Sequence, residues 1–569
     1  MSVDYSKKTK EELIAEILRL KSRKKYGIVW EDKPEDVIAE CIEKLPVLTE
    51  DTNKAVLLGN SDSTNIIIEG DNYHVLSVLN YTHEGKVDVI YADPPYNTGA
   101  KNWVYNNNFV DGNDAYRHSK WLSFMEKRLR LAKTLLKETG IIVVTIDDYE
   151  IATLTLLMNE IFGEENHLGT VVIKSNPSGR STISGFAVSH EYALFYSKSS
   201  FAKIGRLQRD DRQIARYKES DNLGSFEWVN FRARYSTISP RLQYPIFIKK
   251  DASGFRIPLL EWDTEANKYQ LIERPDKDEV IKYPIDAANK MRCWKWSVET
   301  VNKSKETEMA VRLDSTKQPS VYAKARMKDE GMLPLTWWDK TEYSATAHGT
   351  NLLNRILGGK KFDYPKSLYA VMDTLRVAAP NKNAVVLDFF AGSGTTGHAT
   401  LELNKEDEGN RQFILVTNNE NGIAENVTQP RIKKVIDGYD KNPGIPANLR
   451  YFKTDFINKE QASDDTRYAL VRRSTDMICV REGTFESVID EDHLKIFRNW
   501  DHYTAILFDL NHFDFFKDQL LKLDEPTSIY VFSLTNDTYS ADFNDLKQRY
   551  KICPIPESIL EVYRKLFNE

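Results

Sequence analysis

Short apolar runs alternate with amphipathic stretches along the first part of this chain. Ile66, Ile67 and Ile68 read as a strand, and residues 73–80 as the helix after it. Val87, Val89 and Ile90 form a second buried strand. Leu122, Met125, Leu129, Ala132, Leu135 and Leu136 recur at helical spacing, which predicts a helix over residues 118–138 capped by Gly140. Ile141 to Ile146 are continuously hydrophobic or β-branched and predict a strand. Residues 150–162 predict a helix stopped by Gly163, and residues 171–173 and 192–196 an edge pair of strands. Strands alternating with helices imply an α/β fold, a mostly parallel sheet with helices on both faces.

The pattern changes near residue 200. Residues 200–345 are irregular, aromatic and basic, as in Trp228, Phe231, Arg232, Arg234 and Tyr235, with strand-like pieces at 245–248 and 269–272. The βα alternation resumes near Phe362. The central stretch therefore reads as an insertion between two parts of one sheet. Residues 456–569 read as a separate α/β domain with strands at 503–508 and 528–532, and residues 8–25 as a charged amphipathic helix. The expected division is an N-terminal helical arm (1–50), the first part of the sheet domain (51–199), the insertion (200–345), the second part (346–455) and the C-terminal domain (456–569).

Composition narrows the class. A 569-residue chain that is 41% hydrophobic supports large cores. It holds no apolar run long enough for a membrane span, and its first residues lack the apolar stretch of a signal peptide. Four dispersed cysteines without a Cys-x-x-Cys pair argue against a metal site and fit a reducing cytoplasm. The net charge is -6, yet residues 171–256 carry 15 Lys or Arg against 7 Asp or Glu. That local excess suits a nucleic-acid partner or a solvated face.

Two segments carry candidate chemistry. Asp93, Pro94, Pro95 and Tyr96 follow the strand ending at Ala92. The Asp93 carboxylate and Pro94 carbonyl can accept the two N–H bonds of a planar exocyclic amine. The prolines fix φ, so these acceptors are pre-aimed. Tyr96 offers a face on which an extruded base can stack. Roughly 300 residues later, Asp388, Phe390, Ala391, Gly392, Ser393, Gly394 and Thr395 form a glycine turn between a strand and a helix. Such a turn presents backbone N–H groups to a nucleotide-like cofactor. No Gly-x4-Gly-Lys-Ser/Thr motif is present, which disfavours a nucleoside triphosphate.

With the ordered blocks at 69–72, 121–136, 146–148, 162–166, 190–192 and 362–367, these motifs resemble the β-order DNA amino methyltransferases. More narrowly, the chain resembles the Mod subunits of type III restriction–modification systems. The resemblance implies a Rossmann-like S-adenosylmethionine-dependent methyltransferase sheet with permuted motif order, carrying an inserted target-recognition domain and a C-terminal α/β domain. It implies S-adenosylmethionine as cofactor, with Asp71 near its adenine, and Lys366, Ser367 and residues 390–395 around the pocket. Asp388 would face its amino acid part. The ribose would be held by Thr417, where an acid is usual, or by Glu420. The activity implied is adenine-N6 methylation of double-stranded DNA by base flipping; cytosine-N4 transfer and a non-catalytic specificity subunit are the alternatives. Arg206, Arg209, Arg212, Arg216, Arg232 and Arg234 in the insertion would meet DNA. The implied partners are a second copy of the chain and a restriction (Res) nuclease–helicase. The pair His190-Glu191 reads as a strand-edge element lining the base pocket at most.

Overall fold

A computed structural model describes residues 9, 10, 13, 14 and 30–567, apart from 59–63, 106, 107, 112, 113, 180–184, 210, 234–238, 329, 460–462, 534–536, 538, 547 and 548. Most of the expected helix over 8–25 lies outside the described residues. The chain forms two compact units, Met1–Leu207 with Leu333–Glu569, and Gln208–Met332.

The first unit is built on one sheet. Its strands are β1 (Lys44–Glu50), β2 (Thr64–Glu69), β3 (Val87–Ala92), β4 (Leu136–Ile146), β5 (His167–Ile173), β6 (Glu191–Ser197), β7 (Trp337–Trp338), β8 (Val385–Asp388), β9 (Gln412–Thr417) and β10 (Asn448–Asn458). Across the sheet they run β1-β10-β2-β9-β8-β3-β4-β6-β5-β7. The six strands from β10 to β4 are mutually parallel. β1 is antiparallel to β10, and β6 is antiparallel to both β4 and β5. The expected α/β sheet is thus present, and the segments before and after the second unit interleave in it.

Side-chain alternation explains why both faces are covered. Ile90 and Ala92 of β3 enter one core, with α1 (Asn72–Thr82), α2 (Arg117–Leu135) and α3 (Ile151–Phe162). Val89 and Tyr91 enter the opposite core, with α4 (Leu368–Ala378), α5 (Thr395–Asp407) and α6 (Gln429–Asp437). Each fully buried aliphatic side chain here contributes about 1.5–3 kcal/mol. The α2 helix stops at Leu135 rather than continuing to residue 138. Leu136 is fully buried in register with Val87, and Lys137 pairs with Asp88 at 2.7 Å. Residues 137–140 bulge before Ile141 rejoins β3, so Gly140 lies within β4 and not at a helix cap.

The C-terminal segment has its own sheet of β11 (Glu486–Asp490), β12 (Leu494–Arg498), β13 (Tyr503–Leu507), β14 (Thr527–Phe532) and β15 (Tyr550–Ile555). Ala505, Leu507, Ile529 and Val531 face a core of its own. The alternate residues Ile506, Tyr530 and Phe532 join the core of α1–α3. One face is therefore independent and the other is shared.

The second unit holds a four-stranded sheet of Glu219–Asp221, Gly224–Asn230, Met309–Leu313 and Pro319–Arg326, and a smaller one centred on Ile246–Lys249. Phe231, Tyr244, Ile246, Trp294, Val301 and Val321 form its core.

Candidate active site at the ends of two parallel strands

β3 and β8 lie side by side, with Val386 opposite Val89 and Leu387 opposite Ile90. Because they are parallel, the loops that follow Ala92 and Asp388 leave the same edge of the sheet. This is where parallel α/β sheets gather ligands. The two motifs, distant in sequence, are thereby neighbours.

The Asp93 loop is fixed from several sides. Thr145 on β4 donates to Asp93 Oδ1 at 2.7 Å. Lys366 Nζ lies 3.0 Å from the same oxygen and 2.6 Å from Glu191 Oε2. It also contacts the Tyr96 hydroxyl and lies 4.5 Å from the centre of the Tyr96 ring. Tyr96 in turn donates to Glu191 at 3.0 Å. Trp121 donates to the Pro95 carbonyl at 2.7 Å. Asn97, buried with a left-handed φ of 54°, donates at 2.5 Å to Glu150, a fully buried carboxylate that also meets His118 Nδ1 at 2.6 Å. Burial alone would lower the Lys366 pKa. Asp93 and Glu191 outweigh it, and Lys366 is held above its ordinary value as a cation. Burial, Asp93 and Glu191 push the Tyr96 phenol up, so it stays neutral.

The glycine loop is braced differently. Asp388 is 2% exposed and turned into its own loop. It accepts from the Phe390 N–H at 2.9 Å and from Thr396 at 2.5 Å. Burial raises its pKa to about 7, against those two hydrogen bonds and with a smaller push from Asp93. Gly392 and Gly394 have φ of 47° and 75°, and a Cβ at Gly392 would come within 3.2 Å of Phe362. The bare backbone thus leaves a cradle that side chains would fill, which fits a bound nucleotide-like group. Thr428 donates to the Gly392 carbonyl at 2.6 Å. Arg431, fully buried on α6, reaches the Ser393 carbonyl at 3.2 Å and Thr395 Oγ1 at 2.8 Å. Burial lowers its pKa to about 9.

The other expected cofactor residues frame this edge. Asp71 caps α1, accepting from the Tyr73 N–H at 2.7 Å, and lies 3.6 Å from Arg128. Ser367 is buried, caps α4 and donates to the Glu342 carbonyl at 2.7 Å. Thr417 ends β9, where its carbonyl accepts from the Gly70 N–H at 3.0 Å; Glu420 is exposed three residues beyond. Lys366 is drawn to the Asp93 cluster. Ala391 donates its N–H to the Val416 carbonyl at 3.0 Å.

Sequence reasoning gave Glu191 a peripheral role and overlooked Thr145, Glu150 and Arg431. The signal for Glu191 was strand direction. β6 is antiparallel to β4, so its first residue, and not its last, reaches the site edge.

Of the expected DNA-contacting arginines, Arg206 is exposed in the first unit. In the second unit, Arg209 reaches the Lys328 carbonyl, Arg216 pairs with Glu227 at 2.9 Å and Arg232 reaches the Ile285 carbonyl. Arg234 and the Arg212 side chain lie outside the described set. Among the described residues no cluster could hold a metal ion, and no helix is long and apolar enough to cross a membrane.

Comparison with known proteins bears on this arrangement. The family model described as DNA methylase (N6_N4_Mtase) matches residues 87–429. The type II methyltransferase M.KpnI of Klebsiella pneumoniae is 34% identical over 367 residues, 63% of this chain and 82% of that protein. The type III restriction–modification enzyme EcoPI Mod subunit of Escherichia phage P1 is 30% identical over 450 residues, 72% of this chain and 67% of that protein. Among solved structures, the M1.HpyAVI–SAM complex is 15% identical with a TM-score of 0.28, covering 64% of this chain and 98% of that one. The family match takes in both strand-end loops and most of the sheet between them, and the chain belongs to the DNA methylase family.

Proposed function

We propose that this chain is the modification and specificity subunit of a type III restriction–modification system, and that it methylates adenine N6 in a specific duplex DNA site. The supporting observation is the side-by-side exit of the Asp93 and Asp388 loops from β3 and β8. S-adenosylmethionine is the methyl donor, and its sulfonium supplies an activated methyl and a neutral leaving group. Asp71, Lys366, Ser367, Asp388, Phe390 to Thr395, and Thr417 or Glu420 are the residues proposed to surround it.

The chain's own contribution is positioning. Adenine N6 is a poor nucleophile because its lone pair is conjugated with the ring. Asp93 and the Pro94 carbonyl accept its two N–H bonds and steer it toward tetrahedral geometry. Both contacts to Asp93 fall on Oδ1, and among the described residues no hydrogen-bond donor occupies Oδ2. Oδ2 is the oxygen offered to the amine. Tyr96 supplies the stacking face. The proton left on N6 after transfer passes to Asp93 and on to water.

The second unit is proposed as the target-recognition domain, with Arg209, Arg212, Arg216, Arg232 and Arg234, and Arg206 just before it, meeting phosphates or base edges. The chain is proposed to dimerise through its C-terminal segment and to place a Res nuclease–helicase on DNA. Mapping modified bases in DNA from cells expressing the chain tests the main reading. N6-methyladenine at one recurrent sequence is expected. N4-methylcytosine would move the assignment to cytosine, and unmodified DNA would leave a non-catalytic specificity subunit. Light scattering at the monomer mass would remove the dimer.

A further inference from the structure

Lys366 poses a problem for the proposed chemistry. Its ammonium lies 3.0 Å from the carboxylate that must receive the target amine. An ammonium has three donors, and one freed from its other partners would turn to the unoccupied oxygen of Asp93. It would then compete with the amine for the same acceptor. It would also add positive charge beside an amine that becomes cationic as the methyl arrives.

The surrounding contacts prevent this. Lys366 Nζ makes its shortest ionic contact with Glu191 Oε2, at 2.6 Å, and also meets the Tyr96 hydroxyl. Tyr96 donates to the same Glu191 oxygen at 3.0 Å, closing a three-membered ring of contacts. The Lys366 and Glu191 side chains are only 13% and 12% exposed, so water does little to screen them. Two carboxylates around one ammonium leave the cluster with one net negative charge. In the transfer itself, the N6–carbon bond forms as the carbon–sulfur bond breaks. The bonding pair leaves with sulfur and the positive charge moves to N6, within reach of that negative cluster.

We propose that Glu191 is a positioning residue for methyl transfer: it holds the Lys366 ammonium on the far side of Asp93, leaving Oδ2 open to the amine and the site net negative. The inference rests on the amino-methyltransferase reading of Asp93.

The test is a double-variant cycle on the full chain, using a duplex that carries the mapped target site. Glu191→Gln is expected to lower kcat on the order of 10²-fold, with cofactor Kd within about threefold of wild type. At saturating S-adenosylmethionine, so that any loss of a Lys366 contact to the cofactor does not enter kcat, adding Lys366→Met to Glu191→Gln is expected to restore at least about fivefold of the loss, because the competing ammonium is gone. A purely structural role for Glu191 would make the double variant worse. Wild-type kcat in Glu191→Gln, or no recovery in the double variant, overturns the proposal while leaving adenine methylation intact. If Glu191→Gln fails to fold, Glu191→Asp carries the test: it must retain more kcat than Glu191→Ala, and equal rates overturn the proposal. A wild-type chain that transfers no methyl group overturns both readings.

Discussion

Asp93 and Asp388 stand just beyond and at the ends of neighbouring parallel strands, yet their surroundings make them different groups. Asp93 is 26% exposed and sits 3.0 Å from a lysine. Asp388 is 2% exposed, is satisfied by its own loop, and has a pKa raised to about 7. The first, with Oδ2 left open beside its lysine contact, is proposed as the acceptor for the target amine. The second is a brace that shapes the backbone after it. Residue type and strand position do not assign the role; the nearest cation and the depth of burial do.

The largest effect should come from Asp93. Asp93→Ala is expected to lower methyl transfer by about 10³-fold or more, with cofactor binding by isothermal titration little changed. Retained turnover would erase the contrast between the two carboxylates. Asp388→Ala should reverse the pattern, weakening cofactor binding by about tenfold as the loop loses its brace. Unchanged affinity would show that the backbone holds its shape without Asp388.

Acidity gives a sharper test. The folded-state pKa of Asp388 lies above its ordinary value of 3.8, at about 7. The folded chain therefore keeps a proton that the unfolded chain releases. The Asp388 contribution to stability falls as pH rises from about 4 to about 7, and is fully lost above that. Asp388→Asn removes this slope. Thermal unfolding of the two proteins should diverge across that window in favour of Asn, and parallel curves would mean that Asp388 is ionised throughout. Gly392→Ala should cost about 1 kcal/mol in urea unfolding, because φ is 47° and the new methyl meets Phe362 at 3.2 Å. The smallest effect lies outside the sheet. Arg216→Ala should reduce the slope of log affinity for DNA against log salt by about one; an unchanged slope would remove Arg216 from the DNA-facing set.

Much of the sheet was legible because β3, β4 and β8 are buried on both faces and read as continuous apolar runs. The glycine turn and the paired prolines were legible because their backbone demands admit few residue types. What escaped notice depended on direction and depth. Glu191 matters because β6 runs antiparallel and begins at the site edge. The end of α2 moved because Leu136 is worth more in register with Val87 than in another helical turn. Arg431 resembled an ordinary polar helix residue, and only packing shows it buried against the glycine loop. Two of the five C-terminal strands, β13 and β14, were expected at nearly their observed limits, but the sharing of one face with α1–α3 depends on long-range docking that periodicity does not carry.

The pairing of β3 with β8 also constrains how the protein comes into being. During synthesis, the ribosome releases the β3 strand long before its neighbour exists, and the whole Gln208–Met332 unit emerges between them. Closing so long a connection is entropically costly and slow, and β3 waits with an unsatisfied edge. A nascent or prematurely terminated chain that stops short of β8 holds the Asp93 loop without the glycine loop beside it. Competence arises late, when the strand that ends in Asp388 pairs with β3 on one side and the still later β9 closes its other side.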